Sequence, residues 1–135
     1  MAETAKTEAK GNQPMAITAA VAGWIVPGLG HLILGKWGKA IGYFAAVGAL
    51  FVVGLRLRGD VFSSGGDAFG TLGFLADLGA GVFYFLAHTI DTLGPDVSRA
   101  AGDYGTRLIA TAGVVNLLCV LEAFQLGLHQ GRKSE

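Results

Sequence analysis

The sequence predicts an all-α, polytopic integral membrane protein of about four transmembrane helices, the first two forming a tight antiparallel hairpin. Three observations predict it. Hydrophobic residues make up 52% of the chain and charged residues 15%, where an ordinary globular protein carries roughly 25% charged. Glycine accounts for 22 of the 135 residues, well above its usual share of ~7%. Glycine weakens helices in water, yet it is frequent in membrane helices, where it lets backbones approach closely. Finally, residues 24–43 read W-I-V-P-G-L-G-H-L-I-L-G-K-W-G-K-A-I-G-Y. There an apolar run with a Pro-Gly-x-Gly-His break meets a turn of Gly and Lys around Trp37, and a second apolar run starts at once.

Ten Lys and Arg balance ten Asp and Glu, so no basic surplus marks a nucleic-acid partner. The single Cys119 excludes an intramolecular disulfide framework and any multi-cysteine metal site.

Residues 1–13 mix Glu3 and Glu8 with Lys6 and Lys10, lack aromatics and are expected to form a disordered polar tail. They have neither the basic start nor the short apolar core of a secretory signal, so the segment is expected to stay uncleaved. A single transmembrane domain, residues 14–129, follows. Its first span is expected over 15–34, twenty residues with His31 as the only titratable side chain. At ~1.5 Å per residue, that length crosses a hydrocarbon core of about 30 Å. Pro27 removes a backbone donor and predicts a kink near Val26. Gly35, Lys36, Trp37, Gly38 and Lys39 make the turn, with an aromatic ring and ammonium groups suited to the headgroup layer.

The second span is expected over 37–57. Gly38, Gly42, Ala46 and Ala49 draw a small-residue stripe along it, which predicts the face laid on the first helix. Ser63, Ser64, Gly65 and Gly66 form a connection, and Asp67 is placed to cap a third helix over 68–90. Along that helix Gly70, Asp77, Tyr84 and Asp91 recur every seven residues, joined by Gly81 and His88, while Phe69, Leu72, Leu75, Phe83 and Leu86 line the lipid side. Gly94 and Pro95 mark a stop. The fourth span is expected over 106–128, and residues 130–135 form a short basic tail. Four spans put both termini on one side, with Lys6, Lys10, Arg56, Arg58, Arg132 and Lys133 there against Lys36, Lys39, Arg99 and Arg107 opposite. The positive-inside rule then leans the termini to the cytoplasm of a cell inner or plasma membrane.

The stretch from Pro27 to Ala40 resembles the hallmark of small, largely uncharacterised bacterial membrane proteins whose helical hairpin reads roughly P-G-x-G-[HQ]-x-Y-x-G-[KR]-x-x-[KR]-[GA]. It is more distantly similar to the two-transmembrane-helix domain family. The sequence departs from the pattern at Ile33, where Tyr is usual, and its spacing from His31 to Gly35 is one residue shorter than in the two-helix domain. The resemblance implies a membrane hairpin shaped by Pro27, Gly28, Gly30, His31 and Gly35, and it carries over no catalytic residue.

Ionisable groups inside a membrane are costly and are therefore functional candidates. Antiparallel packing of the third and fourth spans would put Asp77 and Glu122 at similar depth, as a proton or cation site in which both acids do not ionise together. The simpler reading gives each carboxylate a local partner such as Asn116, Tyr84, a backbone group or water. A second candidate cluster is His31, His88, Asp91 and Arg107, which the four-span topology puts in one leaflet. Two imidazoles and a carboxylate are competent zinc ligands and a lone His can hold a haem, but no local ligand spacing supports either. No metal and no cofactor is therefore expected, and an Asp91–Arg107 ion pair is the plainer outcome.

Neither G-x-x-x-x-G-K-[ST] nor G-x-S-x-G is present, and the chain is not expected to be an enzyme. The leading functional reading is a structural or accessory protein that packs on other membrane subunits or on itself within the bilayer. The alternatives are a small proton- or cation-coupled transporter or channel using Asp77 and Glu122, and a cofactor-binding subunit using His31 or His88.

Overall fold

The computed structural model describes residues 2–90, 94–96 and 98–130, the segment 4–12 by its helical backbone alone. The described residues form six helices: α1 (Ala2–Ile25), α2 (Leu29–Ile33), α3 (Trp37–Arg56), α4 (Ala68–Leu78), α5 (Val82–Ile90) and α6 (Ala100–Gln130). Two of them, α3 and α6, are long and apolar enough to cross a membrane. The α4–α5 pair meets the same test taken together but is bent by 107° at its break.

The longest helix, α6, organises the rest. Its buried positions are Gly102, Gly105, Ile109, Ala112, Asn116, Cys119, Ala123 and Gly127, with Gly113 beside them. Steps of three and four residues keep these positions on one side of a helix. Because they are mostly small, neighbouring backbones come very close. A Cβ at Gly127 would lie 2.6 Å from the Ala16 Cα, and one at Gly113 would lie 1.7 Å from the Ala76 carbonyl oxygen.

α1 runs antiparallel to α6, with Ala16 beside Gly127 and Trp24 beside Asn116. The chain then reverses rather than kinking. Pro27 ends α1 by withholding an N–H, and Gly28 takes φ 86°, a left-handed conformation that glycine adopts without a steric penalty. α2 descends along α1 until Gly30 rests on the Ala19 carbonyl. The expected single span over 15–34 is thus a helix, a sharp turn and a short returning helix. Gly35, at φ 74°, closes α2: the Lys36 N–H donates to the His31 carbonyl at 2.8 Å and the Gly35 N–H to that of Leu32 at 3.0 Å.

The polar segment expected to be a disordered tail is helical from Ala2 onward, continuous with α1. Its Ala, Glu, Lys and Gln are good helix formers, and α1 runs on through Pro14, which forgoes one backbone hydrogen bond without ending the helix. The end of the basic tail, residues 131–135, lies outside the described residues.

α3 packs against α6 through Val47, Phe51 and Gly54. It ends in a Schellman cap with Arg58 at φ 59°, where the Gly59 N–H reaches the Gly54 carbonyl at 3.0 Å. The small-residue stripe faces the other way from the sequence expectation. Gly38, Gly42, Ala46 and Ala49 are exposed, and a Cβ at Gly38 or Gly42 would meet nothing. Larger apolar groups take the inner positions because α6 already supplies the small ones.

Asp67 caps α4 as expected, accepting the Gly70 N–H at 2.9 Å. The expected helix over 68–90 breaks at Gly79, Ala80 and Gly81, and its seven-residue pattern does not form one continuous face. Gly81 has φ 62° and lies so close to the Trp24 carbonyl that a Cβ would stand 1.9 Å from its oxygen. α5 then runs back beside α3, Phe83 near Gly48 and Phe51. The chain returns to where α3 ended: the Asp96 N–H donates to the Arg58 carbonyl at 3.0 Å. The Ser98 hydroxyl at 2.5 Å, with Arg99 and Arg58 nearby, holds the Asp96 carboxyl below its usual range.

Many large apolar side chains point outward, while the interior combines small and polar residues with a few large ones, Val47, Phe51 and Ile109. Ile41, Phe44, Phe69, Leu72, Leu118 and Leu121 are exposed, whereas Ala19, Ala112, Ala123, His31, Asp77 and Asn116 are buried. An outward surface this apolar accompanies helices long and apolar enough to cross a membrane.

Candidate functional site

Two polar centres lie on the inner side of α6, at Glu122 and at Asn116. The first collects the residues of the hairpin stretch. His31 on α2 places Nε2 3.3 Å from the Glu122 carboxylate. From α3, the Lys39 ammonium and the Tyr43 hydroxyl each donate to that carboxylate, one to each oxygen. Lys39 and Tyr43 are four residues apart and so share a helix face. The Tyr43 ring meets the His31 imidazole edge-on, centroids 4.7 Å apart. Gly28 and Gly30 set this geometry by letting α2 lie against Ala40 and Ala19. His31 is 1% exposed, while Glu122 and Lys39 keep part of their surface open.

The second centre joins the two chain reversals. Asn116 Nδ2 donates to the Gly79 carbonyl at 2.8 Å and reaches the Trp24 carbonyl at 3.4 Å. Trp24 Nε1 in turn donates to the Leu78 carbonyl at 3.2 Å. These are the last carbonyls of α1 and α4, groups with no partner inside their own helices. The Asn116 Oδ1 is buried without a partner.

Asp77 belongs to neither centre. It is fully buried, and its Oδ2 accepts the Phe62 N–H at 2.8 Å. The Tyr84 hydroxyl donates to the Phe62 carbonyl at 3.2 Å, and His88 Nε2 lies 3.1 Å from that hydroxyl. The Phe62 ring fills the space a side chain at Gly73 would need. Asp77 therefore fixes the connection between α3 and α4.

The candidate pairing of Asp77 with Glu122 does not form. Ala76 sits against Gly113, nine residues along α6 from Glu122 and so about 13 Å away along its axis. The chain reversal at Gly79 keeps Asp77 on the half of the protein that holds the end of α3. The cluster of His31, His88, Asp91 and Arg107 also separates. His31 joins Glu122, His88 joins Tyr84, and Arg107 pairs with Asp103 on its own helix at 2.8 Å. Asp91, and with it the Asp91–Arg107 pair, lies outside the described residues. Among the described residues no three His, Cys, Asp or Glu side chains gather as metal ligands.

Sequence reasoning passed over Lys39 and Tyr43 as site residues. Their four-residue spacing behind His31 was a usable signal. That Glu122 is their partner was not, because it lies some eighty residues away in the chain.

The fold and its polar centres define an all-α protein with two to three candidate membrane spans. The chain belongs to a family of unknown function, DUF6677, whose model matches residues 18–134. No curated protein and no solved structure matches it.

Proposed function

We propose that this is an integral membrane protein of structural or accessory kind, without enzymatic activity, that packs on a second copy or on another membrane subunit through the outward face of α3. The observation that carries this reading is the open stripe of Gly38, Gly42, Ala46 and Ala49. Glycine facing lipid contributes little apolar contact and costs helix stability. A partner helix approaching along G-x-x-x-G regains that contact through close backbone packing.

In this reading α3 and α6 cross the bilayer, while α1–α2 and α4–α5 are re-entrant hairpins that enter from opposite faces and meet at Asn116. Irregular backbone at membrane depth is tolerable where it is buried in protein, as Gly28 and Gly81 are. Relative to four crossings, Lys36 and Lys39 change sides with Arg56 and Arg58. Two cations are exchanged for two, so the charge bias still leans the termini to the cytoplasm of a cell membrane.

The transporter alternative draws less support, since Asp77 and Glu122 each have local partners and backbone contacts at Gly81 and Gly113 fill the space between the hairpins. A cofactor-binding role for His31 or His88 has to displace Glu122 or Tyr84 from the imidazole.

Native mass spectrometry of a mild-detergent extract tests the packing reading. The wild-type chain is expected as a dimer or with a stoichiometric membrane subunit, and Gly42→Leu is expected alone but folded. A monomeric wild type, or unchanged assembly of Gly42→Leu, overturns it.

A further inference from the structure

An open groove of about 330 Å³ runs between α3 and α5, lined by Phe51, Val52, Leu55, Phe83, Leu86 and Ala87, with Ile90 and Arg56 completing its wall. Its origin is the shortness of α5. Nine residues cover about 13 Å, less than half a hydrocarbon core of roughly 30 Å. Beside the 20-residue α3, α5 leaves apolar surface that it does not cover. Arg56 is the last residue of α3 and is exposed, while every other lining residue is apolar. Two residues on, Arg58 is engaged with Asp96, whereas among the described residues no carboxylate pairs with Arg56.

We infer that this groove holds one acyl chain of an anionic phospholipid whose phosphate sits at Arg56. A volume near 330 Å³ lies at the small end of ligand pockets, roughly 300–1,000 Å³, and suits part of one chain rather than a whole lipid. The charge lies where a headgroup would be, at the end of a span, and the apolar wall runs inward from it along Phe51 to Leu55. A guanidinium matches a phosphate through paired N–H donors. A zwitterionic lipid offers the same chain but brings its own cation to Arg56, so the site discriminates by headgroup. The inference rests on the membrane reading above.

The full-length chain, extracted in mild detergent, is titrated with dioleoyl phosphatidylglycerol or dioleoyl phosphatidylcholine, and retained lipid is counted by native mass spectrometry. One phosphatidylglycerol is expected to be retained about five-fold more tightly than phosphatidylcholine, the scale of one basic side chain at an anionic surface. Arg56→Gln, at an exposed position, is expected to remove the preference while leaving chain binding. Val52→Trp, at a half-exposed wall position, is expected to weaken retention of both lipids. Equal retention of the two lipids by the wild type overturns the inference, as does a preference that survives Arg56→Gln. If Val52→Trp instead splits a dimer and leaves lipid retention unchanged, the groove is a contact between copies and the inference fails. Failure of the chain to partition into membranes overturns the membrane reading itself; membrane insertion without lipid selectivity overturns only the lipid site.

Discussion

The side-chain amide of Asn116 lies 2.8 Å from the carbonyl oxygen of Gly79, so a residue in the middle of α6 holds the buried carboxyl end of α4. Its reach to Trp24 at 3.4 Å engages the end of α1 as well. One amide thus fastens two helices that approach from opposite ends of the molecule.

Asn116→Leu is expected to destabilise the fold by about 1 kcal/mol, in line with buried polar contacts between membrane helices. Asn116→Asp keeps the shape but loses the donor, and is expected to be at least as costly because a carboxylate then faces carbonyl oxygens. Equilibrium unfolding in detergent micelles measures both. A fully neutral Asn116→Leu would show that the amide does not hold the hairpins.

The glycines divide into two groups with opposite expectations. Gly81→Ala requires a left-handed alanine and puts a Cβ 1.9 Å from a backbone oxygen, and Gly113→Ala puts one at 1.7 Å. Each is expected to cost 2 kcal/mol or more, roughly the scale of overpacking and strained backbone. Gly38→Ala meets nothing and is expected to gain up to about 1 kcal/mol of helix propensity within the isolated chain. Thermal unfolding of the three variants side by side is the check.

At the Glu122 centre, a double-mutant cycle with Lys39→Gln and Glu122→Gln is expected to give a coupling of about 0.5–1 kcal/mol. The modest size follows from the partial exposure of both groups, 49% and 33%. Tyr43→Phe is expected to be non-additive with Lys39→Gln, since both donors serve the one Glu122 carboxylate. Strict additivity there would mean that the two donors act independently.

Asp96 supplies a pH dependence with a definite sign. Its carboxyl is held below the ordinary value by Ser98 first, then by Arg99 and Arg58. The charged form is therefore favoured by the fold. The stabilisation is complete above the ordinary carboxylate pKa of about 4 and is lost as pH falls through the depressed value. Ser98→Ala is expected to raise the Asp96 pKa and move that loss to higher pH. Carboxyl-carbon NMR titration reads the pKa directly, and an unchanged value in Ser98→Ala would remove Ser98 as the main cause.

Thiol labelling from either face separates two crossings from four. In a Cys119→Ala background, Ser64→Cys and Ser98→Cys are expected to react from the same side, opposite Lys36→Cys. Four crossings would put Ser64→Cys with the termini and Ser98→Cys with Lys36→Cys.

The all-α class, the break at Pro27 and Gly28, the turn at Gly35 and the Asp67 cap were all legible in local sequence, because each depends on residues within a few positions. The direction of the chain after a break was not. Hydropathy registers that residues 15–34 and 68–90 are apolar over a spanning length, and it is blind to whether the chain continues or turns back. Gly28 and Gly81 decide that, through φ angles that become necessary only once α3 and Trp24 lie where they do. The facing of α3 was misread for a related reason. The stripe of Gly38 and Gly42 signalled close packing, but the close packing inside this chain is supplied by the glycines of α6. The three-and-four spacing of the buried positions of α6, from Gly102 to Gly127, was present in the sequence and is diluted there by the large outward-facing residues between them. The Glu122 centre depends on a contact between α6 and the first hairpin, which no local pattern encodes.

The placement of the organising helix has a consequence for how the protein is made. Of the six helices described, α6 is the last to leave the ribosome, yet α1, α2, α3 and α4 all rest on it. Until it arrives, the carbonyls of Trp24 and Gly79 have no amide to receive, and Lys39 and His31 have no carboxylate. Synthesis proceeds in one order and dependence in the reverse. The first hairpin has to wait, unfinished, for a helix encoded some seventy residues downstream, and a chain cut short within α6 loses the support of everything before it.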